Sequence, residues 1–230
     1  MINYRYTEPG LISHEGYLFG IAAQTTWKTS SKQVGGILDL QMITGALNYN
    51  GSLCDVNSGV CTDYKAETKD IIFRLTHRFD FVISESFDLF IGPGVRYLVD
   101  KGSGTGFYTR SGTYFFAPLG FTMKAPISDG LLLFDFEYDV FLSGTMKSSL
   151  HEVNSTFGDV THIQKNGSGV KVAVKFLGRH GLVSSIFYEH WYVNDSNVEP
   201  LIVNGSPSGN VFVEPKNFTD AVGIGLGFQF

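Results

Sequence analysis

The segment at residues 219–230 constrains the fold most, because its side chains alternate between two kinds. Every second position carries a large apolar residue, namely Val222, Ile224, Leu226, Phe228 and Phe230. The positions between them carry small or polar residues, namely Ala221, Gly223, Gly225, Gly227 and Gln229. Successive residues of a β-strand point to opposite faces. The segment therefore predicts a strand with one fully apolar face.

The same alternation recurs along the whole chain and predicts ten strands in one domain, residues 1–230. They are expected at 2–7, 16–28, 36–49, 69–81, 87–99, 112–125, 131–144, 168–177, 181–193 and 219–230. The first is short, but long loops on one side and both termini on the other require an even number of strands, which supports it. Eight strands are the alternative. The 20 Phe, 11 Tyr and 27 Gly fit strands and tight turns better than helices. The predicted fold class is all-β, a closed antiparallel transmembrane β-barrel.

Three features favour a membrane barrel over a soluble sandwich. The predicted strands exceed the usual length of about 5–6 residues and reach the roughly 9–11 that cross a bilayer. Aromatic residues such as Trp27, Phe81 and Tyr97 lie near the ends of the apolar faces, as in interfacial girdles. Short turns also alternate with the long polar links 50–69, 100–112, 146–167 and 194–217, as in outer-membrane barrels.

Other classes of protein fit the sequence less well. The richest apolar stretch, Leu131–Phe134, is broken by Asp135, so no transmembrane helix is expected. The net charge is −5 with no basic stripe, which argues against a nucleic-acid partner. The N-terminus lacks a basic and then apolar leader, and we expect a mature exported chain whose signal peptide has been replaced by a start Met.

The last strand ends in Phe230, with Leu226 and Phe228 at the alternate positions before it. This resembles the C-terminal signature of outer-membrane β-barrels, which the assembly machinery reads during insertion. The resemblance implies a location in a Gram-negative outer membrane, with lipid and lipopolysaccharide as neighbours. The ten-strand layout resembles that of the omptins, although this likeness is one of topology.

The faces opposite the apolar ones carry charges of both signs, which we expect to point into the lumen. Buried charges are costly unless they pair, and a barrel this narrow is filled by side chains. We therefore predict a plugged lumen in a monomeric barrel, with a narrow channel as the alternative. The predicted network consists of Arg5, Asp39, Arg74, Arg78, Asp80, Arg96, Lys124, Asp135, Glu137, Asp139, Lys171, Lys175 and Glu189.

The two cysteines, Cys54 and Cys61, lie in one long link, and their spacing favours a disulfide in an oxidising compartment. Their only nearby acidic residues are Asp55 and Asp63, which make no convincing metal site. No cofactor and no metal are expected.

An enzyme is not expected. Omptin proteases carry paired acidic residues and an Asp-x-His pair, whereas Asp159 and His162 have the wrong spacing. Lipid A deacylases use a His-x-Ser pair, and no His here has Ser two positions later. A loop-borne hydrolase is kept as the second alternative.

We therefore expect a structural or adhesin-like surface role, with a host surface or another extracellular molecule as partner. Apolar loop residues would either contact that partner or pack on each other above the barrel. They are Leu53, Val153, Phe157, Leu201, Ile202, Val211 and Phe212.

Overall fold

A computed structural model describes residues 1–30, 33–54, 60–104 and 106–229, apart from the side chains of Leu53 and Cys54. Within these ranges the chain is all-β, with one 3-10 turn at Leu150–Glu152. No helix of the described part is long and apolar enough to cross a membrane. The strands are β1 (Ile2–Glu8), β2 (Ile12–Lys28), β3 (Val34–Cys54), β4 (Cys61–Ser84), β5 (Phe87–Ile91), β6 (Gly94–Gly102), β7 (Thr109–Ile127), β8 (Gly130–Ser148), β9 (Val160–Gln164), β10 (Gly167–Gly178), β11 (Leu182–Val193), β12 (Val198–Val203), β13 (Ser206–Val213) and β14 (Asn217–Phe228).

Ten strands form an antiparallel ring of hydrogen bonds. The order is β1, β2, β3, β4, β6, β7, β8, β10, β11 and β14, and β14 pairs with β1 again. β5 continues the position of β6, since both pair with β4 and β7. The break between them falls at Gly92 and Pro93, and proline cannot donate a ladder hydrogen bond. The prediction of ten strands is confirmed, and the ring is compatible with a β-barrel.

The two ends of the ring differ in their connections. At one end, called the turn end, the links are short: 29–33, 85–86, 128–129 and 179–181. At the other, called the loop end, the links at 149–166 and 194–216 carry β9 and the β12–β13 hairpin, which the sequence did not predict. The link between β1 and β2, also at the loop end, is a tight turn at 9–11.

Apolar side chains at the loop end pack into a cluster of their own. Leu150, Val160 and Leu201 are buried there, with Phe157 and Phe212 against them. Ile202 is partly buried, whereas Val153 and Val211 are exposed. The side chain of Leu53 lies outside the described part. Three of the predicted loop residues, Phe157, Leu201 and Phe212, thus pack in this cluster, and two remain on the surface.

The ring has one seam. β1 pairs with both β2 and β14, but only from Ile2 onward, opposite Leu18 and Gly223. Met1 still exchanges backbone hydrogen bonds with Ile224, at 3.0 and 3.2 Å. Toward the turn end, residues 19–28 of β2 and 225–228 of β14 have no strand between them in the described structure.

Large side chains fill the interior of the ring. Tyr4, Leu18, Leu47 and their neighbours form one buried cluster, and a second contains Tyr114, Phe116, Phe141, Met146, Trp191 and Val193. The small residues of β14 make room for this packing. A Cβ added at Gly223 would lie 2.4 Å from the Phe187 ring. The glycine face of the last strand therefore points inward, where it was expected.

Candidate functional site

The middle of the interior is organised around Arg74 on β4. Its Nη2 donates to Glu137 Oε1 at 2.6 Å and to Asp139 Oδ2 at 3.1 Å, both on β8. β8 is not a hydrogen-bonding neighbour of β4, so these bonds cross the ring. The guanidinium also lies 5.1 Å from the centre of the Phe116 ring. At this level of the interior, a buried charge is thus held by two carboxylate partners and an aromatic face.

Further charged groups surround this centre. Trp191 Nε1 donates to Glu189 Oε1 at 2.7 Å, and the Arg96 guanidinium lies 5.5 Å from the Trp191 ring. Lys171 Nζ lies 5.5 Å from the ring of Phe187. Cations on aromatic faces thus complement the ion pairs at mid-height.

The turn-end half of the interior holds a second set of ion pairs. Lys175 Nζ lies 2.8 Å from Asp135 Oδ2, and Thr122 donates to the other oxygen of that carboxylate at 2.6 Å. Lys124 pairs with Asp88. Arg78 Nη2 lies 3.5 Å from Asp80 Oδ1, and the guanidinium is 4.1 Å from the Phe90 ring centre. Opposite charges, on neighbouring strands or within β4, therefore meet inside the ring.

Arg110 on β7 organises the ion pairs at the loop end of the interior. Its Nη2 lies 2.6 Å from Glu8 Oε1 and also pairs with Glu214, which follows β13. Tyr6 donates to the same Glu8 oxygen at 2.7 Å. Burial and the nearby Glu8 raise the pKa of Glu214 to about 7, against the opposing effect of Arg110. Because Glu8 and Glu214 share the single positive charge of Arg110, one of these two carboxyl groups can also hold a proton.

The structure places the predicted network residues as follows. Six are buried and six are partly buried on the same inward faces: Arg74, Arg78, Arg96, Asp135, Glu137 and Asp139, then Asp39, Asp80, Lys124, Lys171, Lys175 and Glu189. The prediction for Arg5 is wrong, because its side chain is exposed on the outer face. The inward and outward faces of β1 are the reverse of those predicted. Ile2, Tyr4 and Tyr6 fill the interior. Arg5 lies on the outer face, between Glu15 and Asp220 on the neighbouring strands.

Several interior groups were missed by the sequence analysis. They are Glu8, His14, Asp70, Asp88, Asp100, Arg110 and Glu214. Asp70 and Asp88 have the inward parity of strands that were predicted correctly, so the alternation contained the signal for them. Asp100 and Arg110 lie just beyond the predicted strand ends, because β6 and β7 extend further than expected.

Two predictions fall partly outside the described residues. Backbone pairing places Cys54 opposite Cys61 where β3 meets β4. Opposed residues of an antiparallel pair have Cα atoms about 4.5–5.5 Å apart, a separation that a disulfide spans. The side chain of Cys54 is not described, so the disulfide stays a prediction. Phe230 of the C-terminal signature also lies outside the description, whereas Leu226 and Phe228 are exposed on the outer face.

The loop residues considered for hydrolysis do not form one site. His151 Nδ1 lies 2.5 Å from Asp159 Oδ1, and Lys147 Nζ lies 3.0 Å from Asp159 Oδ2. Burial would raise the pKa of Asp159, but the hydrogen bonds from His151 and Lys147 lower it to about 2. His162 is separate, with Nδ1 3.4 Å from the Asn197 carbonyl. Asp55 lies outside the described residues, and Asp63 is exposed on β4.

Comparison of the chain with protein-family models and with curated proteins found no match. The functional argument therefore rests on the geometry of the ring and of its interior.

Proposed function

We propose that this chain is an integral outer-membrane β-barrel with a plugged lumen, and that it acts as a structural or adhesin-like protein through its loop end. One observation carries the proposal: the ring is apolar outside and charged inside. Leu226 is 83% exposed, Ile21 76% and Phe228 69%, whereas Arg74, Glu137 and Asp139 are buried. Water favours the reverse arrangement, and a surrounding hydrocarbon favours this one.

The outer surface also has the boundaries that a bilayer requires. Near the loop end, Glu15, Arg5, Asp220 and His190 lie side by side across β2, β1, β14 and β11. Below them the outer face of β14 is apolar from Val222 to Phe228. The charged row would lie among lipopolysaccharide head groups, above the hydrocarbon. An aromatic group at the turn end, Trp27 with His77 and Phe79, would occupy the opposite interface.

The seam sets a further requirement in lipid. Backbone N–H and C=O groups facing hydrocarbon cost several kcal/mol each when unpaired. The facing edges of β2 (residues 19–28) and β14 (residues 225–228) are therefore the costly part of the ring in lipid.

The plug and the membrane location can be tested in one preparation. Unfolded protein diluted into lipid vesicles should insert, resist alkaline extraction and migrate on gels in a heat-modifiable way. In planar bilayers it should give no steady conductance, because side chains cross the interior at three levels. Failure to insert would contradict the membrane assignment. Insertion with steady ohmic conductance would instead support the narrow channel.

The β12–β13 hairpin supports the surface role. Val198 lies opposite Val213 and Pro200 opposite Val211, so these four residues share one face. Val211 is 65% exposed and Val198 60%, although the buried residues of the hairpin pack on the loop-end cluster. An apolar face held on a rigid hairpin at the end of the ring would contact an extracellular partner.

The hairpin face is tested by comparing cells that display the chain in their outer membrane. The triple variant V198S/V211S/V213S should reduce adhesion to epithelial layers, since it removes the apolar face. Val153→Ser changes another exposed valine, in the 149–166 link, and should leave adhesion unchanged. Equal adhesion by the triple variant and the unaltered chain, at matched surface levels, would exclude the hairpin as the contact.

A further inference from the structure

Three buried side chains outside the ion pairs described above meet near the loop end of the interior. They are His14 on β2, Asp70 on β4 and Asp100 on β6, and each is between 2% and 8% exposed. Asp70 and Asp100 are directly opposite each other in the β4–β6 pairing. His14 lies on β2, two strands from β4 and three from β6, with its ring between those of Tyr6 and Tyr49. The cluster therefore joins three non-consecutive segments of the chain.

The potential ligand atoms of this cluster lie close together. One atom from each of the three residues can be chosen so that all lie within 4.8 Å of one another. His14 Nδ1 lies 3.7 Å from Asp100 Oδ2, and Thr68 Oγ1 lies 3.5 Å from the same nitrogen. Metal–ligand bonds of about 2.0–2.2 Å in a tetrahedral site place ligand atoms roughly 3.3–3.6 Å apart. Small side-chain movements would bring the cluster to that spacing.

Unpartnered polar atoms point to a missing ligand. Asp70 Oδ1, Asp100 Oδ1 and His14 Nε2 are all buried, and among the residues that the structure describes they have no hydrogen-bond partner. His14, Asp70 and Asp100 line one small cavity together with Arg110. Buried carboxylate oxygens without a partner are costly, and a cation in the cavity would satisfy them.

The protein itself supplies little compensating charge at this level. Glu8, Asp70, Asp100 and Glu214 are all buried around the cavity or just above it. Among the described residues, Arg110 is the only lysine or arginine ion-paired with any of these four, and it is taken up by Glu8 and Glu214. Arg110 lines the cavity and Arg96 also acts on Asp70, but neither is ion-paired with Asp70 or Asp100 in the described structure. This local excess of negative charge favours a divalent cation.

We propose that His14, Asp70 and Asp100 bind a divalent transition-metal ion, for which Zn²⁺ is the probe. One imidazole nitrogen and two carboxylates form a donor set that suits Zn²⁺ and similar ions better than Ca²⁺ or Mg²⁺, which prefer oxygen alone. Three protein ligands leave a fourth position for water. Bound metal would tie β2, β4 and β6 together and stabilise the loop-end half of the ring.

The test uses the whole chain folded in detergent micelles, stripped with a chelator and titrated with Zn²⁺ by calorimetry. We expect one Zn²⁺ per chain with a Kd of about 1 µM or tighter, and much weaker binding of Ca²⁺ and Mg²⁺. Zn²⁺ should also raise the midpoint of thermal unfolding. Absence of saturable Zn²⁺ binding would overturn the proposal.

Two variants and a matched control locate the site. His14→Gln and Asp100→Asn should each weaken Zn²⁺ binding at least about tenfold, because each removes one ligand. His151→Gln alters the exposed His–Asp pair of the 149–166 link and should bind Zn²⁺ as tightly as the unaltered chain. Binding that survives both interior variants, or that is lost in His151→Gln, would place the metal elsewhere and overturn the proposal.

A spectroscopic measurement on the unaltered chain keeps the proposal testable if the variants do not fold. Co²⁺ at this site should show the intense visible absorption of a low-coordinate ion with nitrogen and oxygen ligands, and Zn²⁺ should displace it. A weak spectrum like that of hydrated Co²⁺ would contradict the proposed ligand set.

Discussion

At the scale of single residues, Glu214 at the loop end makes the stability of the protein depend on pH. Its pKa is raised to about 7 by burial and by Glu8, despite Arg110. Between its ordinary value near 4.5 and about 7, the folded state therefore holds a proton that the unfolded state has released. The resulting stabilisation is full below about pH 4.5 and is lost as pH rises through 7.

This predicts that unfolding in lipid vesicles becomes easier between pH 5 and pH 8, by on the order of 2 kcal/mol from this group. Glu214→Gln imitates the protonated acid and should flatten that part of the profile, leaving the variant at least as stable as the unaltered chain at pH 8. Urea unfolding across this range measures the difference. Glu15→Gln, at an exposed position, serves as the control. An unchanged slope in Glu214→Gln would rule out this residue as the source.

The charged residues that point inward show which positions could be predicted from the sequence and which could not. Arg74, Glu137 and Asp139 could be placed from alternation alone, because their strands are long and one face is fully apolar. Arg5 could not, since β1 carries Ile2, Tyr4 and Tyr6 on one face and Arg5 on the other, and tyrosine suits either an interface or a packed interior. Contacts with the neighbouring strands determine which face of β1 points inward, and the sequence of β1 alone does not show those contacts.

At the scale of the strand, the central prediction is which face of β14 meets lipid, because the faces of the other strands are assigned by the same rule. Leu226 points outward and is 83% exposed, whereas Gln229 is exposed at the turn end. A charge on the lipid face near the bilayer midplane costs about 2–4 kcal/mol and falls toward zero at the interface. Leu226→Arg should therefore destabilise the protein in vesicles by about that amount, well beyond Gln229→Arg.

Urea unfolding of the two variants measures this difference, with heat-modifiable gel migration as the check for folding. If Leu226→Arg proved as stable as Gln229→Arg, the outer face of β14 would not meet lipid. Because the lipid-facing side of every other strand is assigned by the same rule, those assignments would then be wrong as well.

The alternation of apolar and polar residues predicted the strands of the ring, but it did not predict β9 and the β12–β13 hairpin at the loop end. β9 and the β12–β13 hairpin are short, and part of their apolar surface packs into a shared cluster with Leu150, Val160 and Leu201. Such segments have no long two-faced pattern, and their sequences read as polar loops with scattered apolar residues. Their structure depends on contacts distant in sequence, which a local pattern does not contain.

At the scale of the whole molecule, we propose that lipid surrounds the ring and that the interior is closed. The two tryptophans of the chain report on these two environments separately. Trp27 is 41% exposed on the outer face near the turn end, and Trp191 is 1% exposed beside Glu189 and Arg96 in the interior. Each can be observed alone, in Trp191→Phe and in Trp27→Phe respectively.

Both environments can be measured at once by quenching these tryptophans in folded protein in vesicles, with brominated lipid chains and with aqueous iodide. We predict that brominated lipid quenches Trp27 more strongly than iodide does, and that neither quenches Trp191. Quenching of Trp27 by iodide alone would contradict a lipid-facing outer surface, and quenching of Trp191 by iodide would contradict a closed interior.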